Sequence, residues 1–142
     1  MTVRAGVERL KILFVDHVPW DYTPDTPYTQ PLGGSQSALC YLAERLATMG
    51  HEVGLLNNAR KRGVVRGVHC FNVNQPPREF VAGTDVVVAI NDVSPDTVQA
   101  LRAGSGSATR YYAWVGHACD QPAVTPLRDA ATRGAWDGFI LA

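Results

Sequence analysis

The sequence predicts an α/β domain, a doubly wound and mainly parallel sheet with helices on both faces. Three observations carry this expectation. Unbroken apolar runs, Lys11–Asp16 and Asp85–Asn91, read as strands buried on both faces. A strand, a helix and a second strand are complete by residue 57, a unit that implies parallel pairing with a right-handed crossover. Further strand and helix patterns follow with no internal repeat and no linker, so residues 1–142 form a single domain. At 46% hydrophobic and 18% charged residues, 142 residues suffice for one buried core and do not read as disorder.

Residues 1–10 read as a loose lead-in to the first strand, Lys11–Asp16. His17 to Leu32 contains Pro19, Pro24, Pro27 and Pro31, which exclude helix and inner strand and leave a long loop. From Ser35, a candidate cap, the period becomes helical. Leu39, Leu42, Ala43, Leu46 and Ala47 form one stripe, and Gly50 is placed to end the helix in a left-handed turn. His51–Asn57 is the second strand, Arg60–Arg66 a basic turn, and Val68–Val73 a third strand. Residues 76–83 have room only for a short helix. Asp85–Asn91, rich in β-branched residues, belongs in the sheet interior. Ser94-Pro95-Asp96 opens the next helix with a cap, a first-turn proline and an acid, Val98 and Leu101 supply its buried face, and Gly104 ends it. Thr109–Val115 is another strand. Thr125-Pro126-Leu127 starts a last helix running to about Gly134, and Gly138–Ala142 begins a buried strand. A buried strand at that point normally feeds a further helix, so a fragment of a longer polypeptide is expected, with self-association through the exposed edge.

Composition excludes several classes. Lys plus Arg and Asp plus Glu are 13 each, which gives no case for a nucleic-acid surface. Arg60, Lys61, Arg62 and Arg66 form only a local basic cluster. Cys40, Cys70 and Cys119, odd in number and widely spaced, make neither a disulfide framework nor a metal pair and fit reduced thiols in the cytoplasm. The N-terminus has no apolar stretch of signal-peptide length, and no run approaches a bilayer span, which leaves only peripheral membrane contact open.

The corner that carries chemistry joins the end of the first strand to Gly33-Gly34-Ser35 at the first helix. Its long loop is not the dinucleotide fingerprint, and no phosphate loop of the GxxxxGK[ST] type is present. Paired glycines permit positive φ and close backbone approach, so this corner is either a tight turn or, with the helix amides, an anion site. Asp16 and His17 follow the first strand, Asn91 and Asp92 the interior one, and His117 the next. All stand at carboxyl ends and face one crevice. Asp16 is read either as a carboxylate bonded to loop amides or as a chemical group, and His117 as structural or functional. Trp20, Tyr22 and Tyr28 either stack on a flat ligand or pack the loop down. No His, Cys and acid combination has metal-ligand spacing, so no metal is expected.

The segments Lys11–Asp16, Gly33–Val53, Asp85–Asn91, Tyr111–His117 and Trp136–Ala142 together resemble the N-terminal half of a GT-B glycosyltransferase. The retaining group often called family 4 is the most similar, and the resemblance covers the whole chain. It implies a Rossmann-like acceptor-side domain facing a second, donor-binding domain that carries a glutamate pair. It also implies a hexosyltransferase-type enzyme that uses a nucleotide-sugar substrate and no cofactor. The glycine corner, Gly33, Gly34 and Ser35, would then approach the donor diphosphate, and His117 the sugar near the reacting carbon. The 142-residue piece alone would be inactive. Two rivals stand beside this expectation: a non-catalytic carbohydrate-binding or interaction module of the same fold, and a receiver-like signalling domain, against which His17 stands where a receiver needs a second acid.

Overall fold

The computed structural model describes residues 8–141. Most of the expected lead-in and the final Ala142 lie outside the described residues. Seven strands form one sheet: β1 (Lys11–Val15), β2 (Glu52–Asn57), β3 (Gly63–Val65), β4 (Val68–Asn72), β5 (Val86–Ile90), β6 (Arg110–Val115) and β7 (Gly138–Leu141). Their spatial order is β3-β4-β2-β1-β5-β6-β7, and only the β3–β4 pair is antiparallel. The six parallel strands, numbered in chain order, therefore run 3-2-1-4-5-6, the order of the doubly wound dinucleotide-binding sheet. A receiver sheet runs 2-1-3-4-5, so the topology is Rossmann-like and not that of a receiver.

Side chains of a strand alternate between faces, and β1 shows the consequence. Ile12 and Phe14 pack with Leu39, Cys40 and Ala43 of α1 (Gly34–Thr48). Leu13 and Val15 pack on the other face with Phe80 and Val81 of α2 (Arg78–Ala82) and Val98 of α3 (Pro95–Ala103). Trp136, just after α4 (Ala130–Gly134), joins that second layer. Helices thus cover both faces. Leu13, Leu39 and Leu55 are wholly buried, worth about 1.5–3 kcal/mol each.

Several expectations need correction. Ser35 does not cap α1: Gly33 is the cap residue and contributes no side chain. Leu42 is exposed, because the inward row runs through Gln36, Leu39, Cys40 and Ala43, and Leu42 is rotated a quarter turn from it. The basic turn ends in strand: Gly63–Val65 pairs back on β4 through Arg66-Gly67, both at positive φ, a two-residue hairpin. Residues 125–134 are two pieces, a 3₁₀ turn Thr125–Arg128 and α4, because the Asp129 side chain caps a new start by accepting from the Thr132 amide. β7 is not buried. It lies at the sheet edge and pairs only with β6, leaving Phe139, Ile140 and Leu141 exposed. Gly50 at φ 104° ends α1, and Ser94 caps α3, as the sequence implies. No described helix is long and apolar enough to cross a membrane.

Candidate functional site

From β1 the chain builds outward in one direction to β2 and β4, then returns to place β5 on the other side of β1. The loops after β1 and β5 consequently part, and a crevice opens between them at the carboxyl ends of the strands, where ligands of open α/β sheets bind. Its volume is about 540 Å³. Asp16, Gly33, Gly34, Ser35, Asn91, Asp92 and His117 all line it, so the structure brings every sequence-predicted site residue together. His17, Trp20 and Gln36 line it too.

The amino end of α1 forms one wall. Gly33 has φ −56° and Gly34 is helical, so neither glycine uses the positive φ that the pair permits. Space is the reason for Gly33: a Cβ there would lie 2.7 Å from Gln36 Oε1 and 2.9 Å from the Trp20 ring. A Cβ on Gly34 would meet nothing within 4 Å, because the residue faces open space. The helix has no side-chain cap, and no hydrogen bond among the described residues uses the Gly34, Ser35 or Gln36 amide. Those three donors and the positive end of a 15-residue helix line the crevice.

Asp16 forms the floor. It is buried; Oδ2 accepts from the Tyr22 hydroxyl and from Gln36 Nε2 at 3.1 Å, and Oδ1 accepts from the Val18 amide at 3.1 Å. Burial and the adjoining carboxylate push the Tyr22 hydroxyl far above its ordinary pKa, so it stays a donor. Asp16 thereby ties β1, its loop and α1 together. Of the three loop aromatics, Tyr22 is packed inside and Tyr28 bonds Glu44 on the outer surface, under the Arg66 guanidinium. Only Trp20, 46% exposed, presents a ring to the crevice.

Asn91 clamps two walls. At φ 53° it turns the chain out of β5, its Nδ2 donates to Ser35 Oγ at 3.2 Å, and its Oδ1 accepts from the Gly116 amide at 3.0 Å. Gly116 is held so close that a Cβ would sit 3.3 Å from Ser35 Oγ. His117, next in the chain, is exposed with Nδ1 3.0 Å from Gln121 Oε1. That oxygen also accepts from the Ala118 amide, which fixes it as an acceptor, so Nδ1 carries the proton and Nε2 is left free.

A second imidazole, His17, is named in sequence only by its place after the first strand, with no role given to it. Its Nδ1 lies 3.3 Å from Asp92 Oδ2, and Asp92 is itself held by Thr97 Oγ1 at 2.7 Å and the Ser94 amide at 2.9 Å. The hydrogen bond to Asp92 raises the His17 pKa against the opposing effect of burial. Burial alone would raise the Asp92 pKa, but the donors His17, Thr97 and Ser94 outweigh it and hold the carboxyl below its usual range. That His17 and Asp92 both face the crevice was visible in sequence; that they pair becomes visible only with the fold. Gln36, Gly116 and Gln121 carry no local signal of their roles.

The arrangement joins backbone donors, two oriented imidazoles and one exposed indole. No Lys or Arg lines the crevice among the described residues, so any anion there is met by amides and imidazoles. Among the described residues no three His, Cys, Asp or Glu side chains gather as a metal site would require. No protein-family model, curated protein or solved structure matches this chain.

Proposed function

We propose that this chain is the acceptor-side domain of a GT-B glycosyltransferase, similar to the retaining family-4 group. Such an enzyme moves a sugar from a nucleotide-sugar donor to an acceptor, and it needs a second, donor-binding domain. One observation carries the reading: an open crevice at the switch point of the sheet, walled by the uncapped start of α1 and by His117.

When the bond between a sugar and a diphosphate breaks, negative charge grows on the departing phosphate. Amides of Gly34, Ser35 and Gln36 that already face that charge stabilise the transition state more than the ground state. One such donor is typically worth about 3 kcal/mol of barrier. His117 Nε2 serves the sugar near the reacting carbon, and Asn91 holds the His117 loop against α1. Asp16, with its oxygens engaged, acts as a positioning residue. The His17–Asp92 pair favours a second stereochemical course, in which the acceptor hydroxyl attacks from the face opposite the diphosphate and gives its proton to His17.

The test is sugar transfer by the protein that carries both halves, with a panel of nucleotide-sugars. His117→Ala is expected to lower kcat at least about 100-fold. A rise in acceptor KM alone would make His117 a binding residue. Absence of transfer from every donor would overturn the reading, and the anomeric configuration of the first product separates retention from inversion.

A further inference from the structure

A larger cleft, of about 740 Å³, lies between α2 and α3 on the sheet face opposite α1. Its floor is Val15 and Leu56, and its walls are Val81, Ala100, Leu101 and Ala103. It exists because α2 has only five residues and the facing positions Ala82, Ala100, Ala103 and Gly104 are too small to close the gap. Val15 and Leu56 are 1% and 4% exposed and close the floor, so the apolar surface that a guest would cover lies mostly on the walls. Polar groups come from His17, Arg78, Asp96 and Thr97 alone, and no Phe, Tyr or Trp lines it among the described residues. A sugar or a flat ring would therefore meet no Phe, Tyr or Trp face and more apolar than polar lining there. An aliphatic chain would find mainly aliphatic walls, with the polar groups set among them.

His17 lines this slot and the polar crevice alike. One molecule can therefore place a polar head on one side of the imidazole and an apolar tail on the other. We propose that the slot holds the alkyl chain of an amphiphilic acceptor whose hydroxyl enters the crevice beside His17. This rests on the glycosyl-transfer reading of the crevice and specifies its acceptor class.

The probe is octyl β-D-glucopyranoside, kept below the concentration at which it forms micelles, compared with methyl β-D-glucopyranoside. Both are titrated into the 142-residue chain and followed by NMR. The octyl glucoside is expected to bind at least about tenfold more tightly, as burial of only part of its chain suffices for that gain. Its shifts should include Val81 and Leu101. Ala100→Trp fills the slot from an exposed helix position and should remove the preference. Ala103→Trp does the same from the next turn, and Gln99→Trp, on the same helix but outside the slot, should keep it. Equal affinities in the unmodified chain overturn the proposal, and so does a preference that survives both slot-filling variants. Pyrophosphate shifts at Gly34–Gln36 are read in the same samples. If they appear while the octyl preference does not, the acceptor class fails and the transfer reading stands. If only the octyl preference appears, the transfer reading fails and with it the acceptor role of the slot.

Discussion

Asp16 stands at the end of β1 where a catalytic acid would be looked for, yet its oxygens are occupied by Tyr22, Gln36 and the Val18 amide. Removing it leaves a buried hydroxyl and a buried amide without an acceptor, so Asp16→Ala should cost about 3 kcal/mol. Urea unfolding with an unchanged m value checks this. Asp16→Asn, which keeps one acceptor, should cost less. His17 and Asp92 form a pair whose contribution to stability depends on pH. The folded pKa of His17 lies above 6.5, so its contribution to stability is complete below about 6.5 and fades as pH rises through the folded value. The folded pKa of Asp92 lies below 3.8, so its part is present above about 3.8 and is lost as pH falls through the folded value. Asp92→Asn should therefore destabilise the protein more at about pH 5.5 than at about pH 8.5, by a modest amount because His17 is half exposed. Equal losses at the two pH values, in thermal unfolding, would contradict the pairing. Asp16, Asn91, Asp92 and His117 could be named from sequence because each follows an apolar run. The partners Gln36 and Gln121 could not, since they are ordinary helix and loop residues until the fold brings them to Asp16 and His117.

At the scale of elements, legibility followed length and chemistry. β1 and β5 were plain because parallel strands buried on both faces are uninterrupted apolar runs. α3 was plain because Ser94, Pro95 and Asp96 each suit a helix start for a separate physical reason. The three residues of β3 are too few for a period, and the Arg66-Gly67 turn that defines them is a weak signal without its partner strand. The apolar run of β7 suggests burial, but its place in the sheet order leaves it at the edge. Asn91 shows how one residue can couple two elements, since its amide joins α1 to the loop after β6. Asn91→Gly keeps the left-handed backbone and deletes the clamp. Hydrogen exchange at the Gly116 amide should then speed up at least about tenfold, while global stability falls by no more than about 1 kcal/mol. Unchanged exchange at Gly116 would mean that the clamp holds nothing.

For the whole molecule, the sequence sufficed for the class of fold, one mainly parallel sheet with helices on both faces. It did not yield the order of the strands, which depends on contacts between distant segments. That order decides the site. With six parallel strands running 3-2-1-4-5-6, the loops after β1 and β5 separate, and the free amides of α1 face the gap between them. The central claim is that this gap receives the diphosphate of a departing nucleotide. The direct measurement is a titration of the ¹⁵N-labelled 142-residue chain with inorganic pyrophosphate, followed by amide NMR. Gly34→Val serves as the comparison, because its side chain enters open space without a clash and should leave the melting temperature unchanged. The account predicts saturable shifts at Gly34, Ser35 and Gln36 in the unmodified chain and their loss in Gly34→Val. Silent amides at these three positions, or the same shifts in the folded variant, would contradict it.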